Sequence, residues 1–250
     1  MYTQPNIINA LLHDHSTGHS IIYANSSYPG HSFANEITSD VALTFKSRKD
    51  KCMEDQVSRK DSLGEVFTPH RVVKEMTKDY ANTLAITDTT LEMCCGEAPF
   101  VADTFDMLSG DSIAFDERAG VLDIKCRHAK STGDITAALM STYGYELQGD
   151  SLFLARQKVL DDAAEWHEHL LGKAPDEATL KQWAEIISWN FWQMDGLTGK
   201  TPSEDEDAQA EDPRTMSLWD DPDDKAPVWA MIAEWIDGKP HPTRFIDSQK

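Results

Sequence analysis

The chain has 250 residues, with 43 acidic against 23 basic side chains and a formal net charge of −20. That balance repels a phosphate backbone overall, so a simple basic DNA-coating protein is excluded, while local contacts to nucleic acid stay open. No apolar run of about eighteen residues occurs and there is no basic-then-apolar leader, so neither a membrane-spanning helix nor a signal peptide is expected. Four cysteines are too few for a disulfide scaffold, which points to a reducing cytoplasm.

In chain order, residues 1–62 have weak periodicity, with His, Ser, Asn, Gly and Tyr dominating 13–35, and read as an irregular N-terminal region. Residues 46–74 hold eight bases against five acids and form the most basic stretch. From there to residue 202 the pattern is that of a folded core. Val72, Val73, Met76, Tyr80 and Leu84 predict an amphipathic helix over 70–84, with Thr68 as its cap and Pro69 in the first helical position. A strand is predicted at 89–93, a helix starting within 99–108, and a second strand at 141–147. Leu152, Leu154, Ala155, Val159, Ala163, Trp166 and Leu170 predict a helix over 150–171. Leu180, Trp183, Ile186 and Ile187 predict another over 176–187, and a third strand follows at 187–192. Residues 203–225 carry ten acids and two bases and read as an acidic linker or insertion. Val228, Met231, Ile232, Trp235 and Ile236 then recur at helical spacing, and residues 226–250 read as a C-terminal helix or strand that completes the core.

Alternating strands and helices are the pattern of a doubly wound α/β sheet, whose ligands bind beyond the carboxyl ends of the strands. Three clusters sit there. The small residues after the first strand, from Glu92 through Cys94, Gly96 and Phe100, let backbone approach a ligand and present amides to it. They form neither a G-x-G-x-x-G fingerprint nor a phosphate loop with its lysine. Glu146 ends the second strand, where an acid accepts hydrogen bonds from ribose hydroxyls; its competing role is a solvated strand-end acid. Asp195 ends the third, where an acid accepts from an adenine amino group; its competing role is a turn or cap before Gly196. His13, His15 and His19, or Cys126 with His128, fall short of a four-ligand metal set, and no metal is expected. The tryptophans Trp183, Trp189, Trp192 and Trp235 read as core rather than as base-stacking platforms.

Taken in order, Gly64-Glu65-Val66-Phe67-Thr68-Pro69, Leu91-Glu92-Met93-Cys94-Cys95-Gly96-Glu97-Ala98-Pro99-Phe100, Tyr143-Gly144-Tyr145-Glu146 and Asn190-Phe191-Trp192-Gln193-Met194-Asp195-Gly196-Leu197 resemble the M subunits of restriction–modification systems. These are S-adenosylmethionine-dependent DNA adenine-N6 methyltransferases. The resemblance covers about residues 62 to 200. It implies a Rossmann-like class I methyltransferase sheet, which the residues after Asp195 have little length to complete. It also implies S-adenosylmethionine as cofactor, and DNA as partner through a specificity or other protein subunit. On that resemblance, Phe67, Thr68 and Pro69 pack over the methionine end of the cofactor. Glu92, Cys94, Gly96 and Phe100 belong to the first cofactor loop, Glu146 holds the ribose, and Asp195 holds the adenine with Met194 or Leu197 flanking the ring.

The chain departs from that family in one place that matters for chemistry. Such enzymes carry Asn-Pro-Pro-Tyr or Asp-Pro-Pro-Tyr, whose oxygens accept from the target amine and whose ring stacks on the flipped base. This sequence has no such tetrapeptide, and Asp221-Pro222-Asp223 lacks both the second proline and the aromatic. The catalytic residues therefore stay unassigned. Two alternatives stand beside the enzyme: a degenerate cofactor-binding regulator or assembly subunit, and an acidic DNA mimic that acts against restriction.

Overall fold

The structure, a computed structural model, describes residues 2–24, 35–50, 66–202 and 228–248. Gly64, Glu65 and the acidic segment 203–225, with its Asp221-Pro222-Asp223, lie outside the described residues. The architecture is mixed α/β around three parallel strands, β1 (Thr90–Glu92), β2 (Thr142–Glu146) and β3 (Phe191–Gln193), in spatial order β1-β2-β3. Leu91 pairs with Tyr143, and Tyr145 with Trp192, so Glu92, Glu146 and Gln193 end their strands on one side of the sheet.

The first correction concerns the N-terminal region. Residues 5–12 form a helix, α1 (Pro5–Leu12), with Pro in its first turn and Ile7, Ile8, Leu11 and Leu12 buried on one face. They belong to the same apolar cluster as Phe153, Trp183 and Phe191. A short helix, α2 (Ser39–Ala42), and a 3-10 turn, Arg48–Asp50, follow. Helix α3 (His70–Thr77) is shorter than the predicted 70–84, and Pro69 rather than Thr68 occupies its cap. Only Val73 and Thr77 of α3 are buried, and Tyr80 beyond it is half exposed, so little packing extends the helix.

The helix predicted within 99–108 does not form. Its backbone bonds elsewhere: the Phe100 and Val101 carbonyls accept from the Val121 and Leu122 amides, and the Asp103 amide donates to Asp123 Oδ2. Two helices supply the crossover instead, α4 (Val121–Cys126) and α5 (Thr132–Met140), the second capped by Ser131 Oγ accepting from the Asp134 amide. The long helix α6 (Gly149–Leu171) ends at Gly172 in the left-handed conformation, as such termini commonly do. Helix α7 (Glu177–Asn190) starts under an Asp176 cap and runs through Ile187 and Ser188, which the sequence assigned to a strand. Short apolar runs do not separate buried helix from strand, and here β3 is confined to Phe191–Gln193.

At the C-terminal end, where the sequence left helix or strand open, the helical spacing is not realised: there is an antiparallel hairpin, β4 (Met231–Ile236) and β5 (Lys239–Arg244), followed by one turn, α8 (Phe245–Ser248). Asp237 and Gly238 both have positive φ, at 51° and 73°, the conformation a two-residue hairpin turn requires. The hairpin packs on the sheet through Ile232 against Tyr145, Trp192 and Met194. Trp235 Nε1 also donates to Asn190 Oδ1 at 2.8 Å.

The N-terminal segment is bonded across the core. Arg156 of α6, fully buried, donates to the carbonyls of Phe191 (2.7 Å), Leu11 (2.6 Å), His13 (3.0 Å) and Ser188 (3.0 Å). Gln193 exchanges hydrogen bonds with the backbone N–H and C=O of Ile22. A Cβ on Gly149 would stand 2.2 Å from the Ile22 carbonyl oxygen. Gly149→Ala is therefore expected to displace this segment and cost about 3 kcal/mol, read from a denaturant midpoint. An unchanged midpoint would mean that the segment shifts at no cost.

Candidate functional site

The loop after β1 turns sharply. Cys94, Gly96 and Ala98 all adopt positive φ, at 54°, 53° and 55°. For the two non-glycine residues this costs about 1–2 kcal/mol each, so strain is concentrated in this loop. The alternation is held by the Cys95 amide donating to the Tyr145 carbonyl (2.8 Å) and the Ala98 amide to the Cys95 carbonyl (2.7 Å). It wraps a cavity of about 290 Å3, near the low end of the range of ligand pockets. Phe67, Thr68, Glu92, Cys94, Gly96, Phe100 and Glu146 all line it, bringing together seven of the nine residues singled out in the sequence.

Glu146 is the best-held acid. Oε2 accepts from the Gly96 amide at 2.9 Å, and Oε1 from the amides of Leu147 and Gln148 at 2.9 and 3.0 Å. Burial raises its pKa, and the three amides work against that rise. A carboxylate offers roughly four lone-pair sites, and the one left open is on Oε2. In this geometry one ligand hydroxyl, not two, can bond Glu146 while the amides keep their places.

Glu92 is the complement. It ends β1 in the wall of the cavity and makes no hydrogen bond or ion pair among the described residues. Desolvation alone lifts its carboxyl to about 7. A cationic group placed beside it would remove that penalty. Cys94 is exposed, and its thiol pKa is raised by desolvation first and then by Glu146, so a nucleophilic thiolate is disfavoured. Phe67 is fixed by the Arg48 guanidinium, 4.1 Å from its ring centre, and the Arg48 amide donates to Glu97 Oε2 at 2.7 Å.

Two predicted residues fall outside the lining. Pro69 is the α3 cap. Asp195 Oδ1 accepts from the Leu197 amide at 2.7 Å and its carbonyl from the Gly199 amide, a turn arrangement, though it stays within electrostatic reach of Cys94 and Tyr145. Of the proposed flanking residues, Met194 is buried, its sulfur accepting from Trp192 Nε1, and Leu197 is almost wholly exposed. The lining also includes Val66, Met107, Gln148 and Ser151, to which the sequence reading gives no role. The last two sit at the start of α6, immediately after the strand-end acid, and that position is the available signal.

The histidine group at 13–19 is structural in its contacts. His15 stacks on Trp189 at 3.6 Å with an interplanar angle of 12°, and its Nε2 lies 2.9 Å from Ser188 Oγ. Burial drives its pKa down to about 3, so it is neutral at physiological pH. Of the four tryptophans read as core, Trp183 and Trp192 are buried and Trp189 and Trp235 are half-buried. Among the described residues no three His, Cys, Asp or Glu side chains are grouped to hold a metal ion, and no helix is long and apolar enough to cross a membrane. Comparison with protein-family models, with curated proteins and with solved structures found no match to this chain.

Proposed function

We propose that the chain is an S-adenosylmethionine-binding protein of the DNA adenine-N6 methyltransferase type, acting in a restriction–modification setting in the cytoplasm. The observation that carries this is the Glu146 carboxylate, at the end of a parallel strand, locked by the Gly96, Leu147 and Gln148 amides, in a cavity it shares with Glu92, which has no partner among the described residues. Glu92 suits the cofactor's ammonium group, Glu146 Oε2 a ribose hydroxyl, and Phe67 and Phe100 the apolar faces. The bound cofactor would supply the electrophilic methyl group. The reading draws support from the parallel strands β1-β2-β3, because ligands of open α/β sheets bind beyond the carboxyl ends of such strands. Asp195, in its turn, would approach an adenine amino group only from the edge of the site.

The target amine needs acceptors that this sequence does not offer in the usual tetrapeptide, so DNA contact and methyl transfer rest on groups outside the cavity or on a partner subunit. That same absence favours, as second reading, a cofactor-binding regulator or assembly subunit. An acidic DNA mimic would have no use for an ordered cavity.

One preparation decides between them. Calorimetry with S-adenosylmethionine is expected to show binding that weakens at least about tenfold in Glu146→Ala, the equivalent of about 1.4 kcal/mol. Glu146→Gln, which keeps an acceptor for the loop amides, separates loss of the ligand bond from collapse of the loop. Labelled methyl transfer to mixed-sequence DNA then distinguishes enzyme from regulator. Unchanged affinity in Glu146→Ala would remove Glu146 from the ribose role, and no binding by the wild type would end both cofactor readings.

A further inference from the structure

A second cavity, of about 540 Å3, shares no lining residue with the first and includes Lys49 and Asp50 of the Arg48–Asp50 turn. One wall is a face of α6, where Leu154, Gln157, Lys158 and Asp161 recur at helical spacing. Among the described residues, two side chains on that wall lack the hydrogen-bond partners their burial demands. Lys158 is 8% exposed, and its Nζ is wholly covered yet makes no hydrogen bond. It faces the Phe105 ring, 4.4 Å from the centre, and the exposed Lys49 lies 5.5 Å from the same ring. Gln157 is 2% exposed; its amide nitrogen reaches the Tyr2 carbonyl at 3.5 Å, while its Oε1 accepts from nothing.

Buried polar groups are nearly always hydrogen-bonded, and an unbonded buried ammonium is costly. Glu97, Asp103, Asp162 and Asp123 favour its charge through space but do not bond it. Glu97 accepts from the Arg48 amide, Asp103 from the Ala119 amide beside His70, Asp123 from the Asp103 amide and Trp166 Nε1, and Asp162 pairs with Arg118. Burial accordingly pushes the Lys158 amine down from its usual range.

We propose that this cavity binds a small organic oxyanion that also carries a hydrogen-bond donor, as a hydroxy acid or a phosphomonoester does. Its oxygens accept from Lys158 and Lys49, its hydroxyl donates to Gln157 Oε1, and its carbon body rests on Phe105 and Leu154. The assignment is independent of the cofactor reading, because it uses a different cavity and different residues.

The test uses the full chain at constant ionic strength, with glycerate, glycerol phosphate and acetate as probes and chloride as the balancing salt. Glycerate or glycerol phosphate is expected to raise the melting temperature and to bind by calorimetry, whichever is tighter naming the head group, and acetate, which lacks the donor, is expected to bind more weakly. Lys158→Met is expected to lose at least about tenfold in affinity while keeping a cooperative melt, since among the described residues its Nζ makes no hydrogen bond to be lost. Should that variant fail to fold, Lys49→Ala, at an exposed position, carries the test with an expected loss of two- to threefold, roughly one surface charge contact. No shift with either donor-bearing probe, an equal shift in Lys158→Met, or unaltered binding in Lys49→Ala when it stands in, would overturn the proposal.

Discussion

Arg156→Met is expected to destabilise the protein by about 3–5 kcal/mol, because it strands buried groups on three elements at once. The guanidinium serves carbonyls at the ends of α1 and α7 and at the first residue of β3, oxygens that a helix or sheet leaves without partners of their own. Burial lowers its pKa to about 10, so placing the charge there is itself unfavourable, and its value lies in the planar fork of donors. Arg156→Lys should therefore rescue little, since one ammonium cannot span carbonyls that far apart. For a chain of this size the melting temperature should fall by about 10 °C or more. A denaturant midpoint within about 1 kcal/mol of wild type would show that water can take the place of the guanidinium.

The second large effect is pH dependence at Glu92. With its carboxyl near 7, the folded chain retains a proton between about pH 4.5 and 7 that the unfolded chain has released. Its contribution to stability is thus fully present below the unfolded value and is lost as pH rises through 7. A ligand that brings a positive charge to Glu92 works in the opposite direction and draws the proton off. Affinity for S-adenosylmethionine should tighten about tenfold between about pH 6 and pH 8, with proton release visible in buffers of different ionisation enthalpy. Glu92→Gln should flatten that profile, and comparison with it removes the titration of the cofactor's own amino group. A wild-type profile as flat as that of the variant would place the cation elsewhere.

The parallel sheet and its two long helices are legible in the sequence because their apolar residues repeat with clear period and the acids end the strands. Seven of the nine proposed site residues meet in one cavity: topology fixes the strand-end acids Glu92 and Glu146 and the loop after β1, and Phe67 and Thr68 reach the same cavity from the segment before α3. The misread elements are of another kind. Helical spacing at Val228–Ile236 masks Asp237-Gly238 and the prolines at 240 and 242, although a two-residue turn and two missing amides are stronger constraints than periodicity over nine residues. The stretch at 99–108 reads as helix because nothing local reveals that its carbonyls bond to residues 121 and 122. Helix α1 is short, and its dense apolar run is overshadowed by the polar residues that follow it. The unpaired Lys158 leaves no mark in the sequence, since only the tertiary packing decides what an α6 lysine faces.

The Arg156 clamp also sets an order of events during synthesis. Leu11 and His13 are separated from Arg156 by 145 and 143 residues, and Ile22 from Gln193 by 171. Helix α1 leaves the ribosome with Ile7, Ile8, Leu11 and Leu12 on one face and no surface yet made to receive them. At roughly 5–20 residues per second, it waits on the order of ten seconds or more before α6 and α7 exist. An eight-residue helix is too short to persist alone, so this segment spends that time largely as unstructured chain and is captured last. Contacts of such long range are slow to form, and the closing of the N-terminal segment over the finished sheet is the step expected to pace folding.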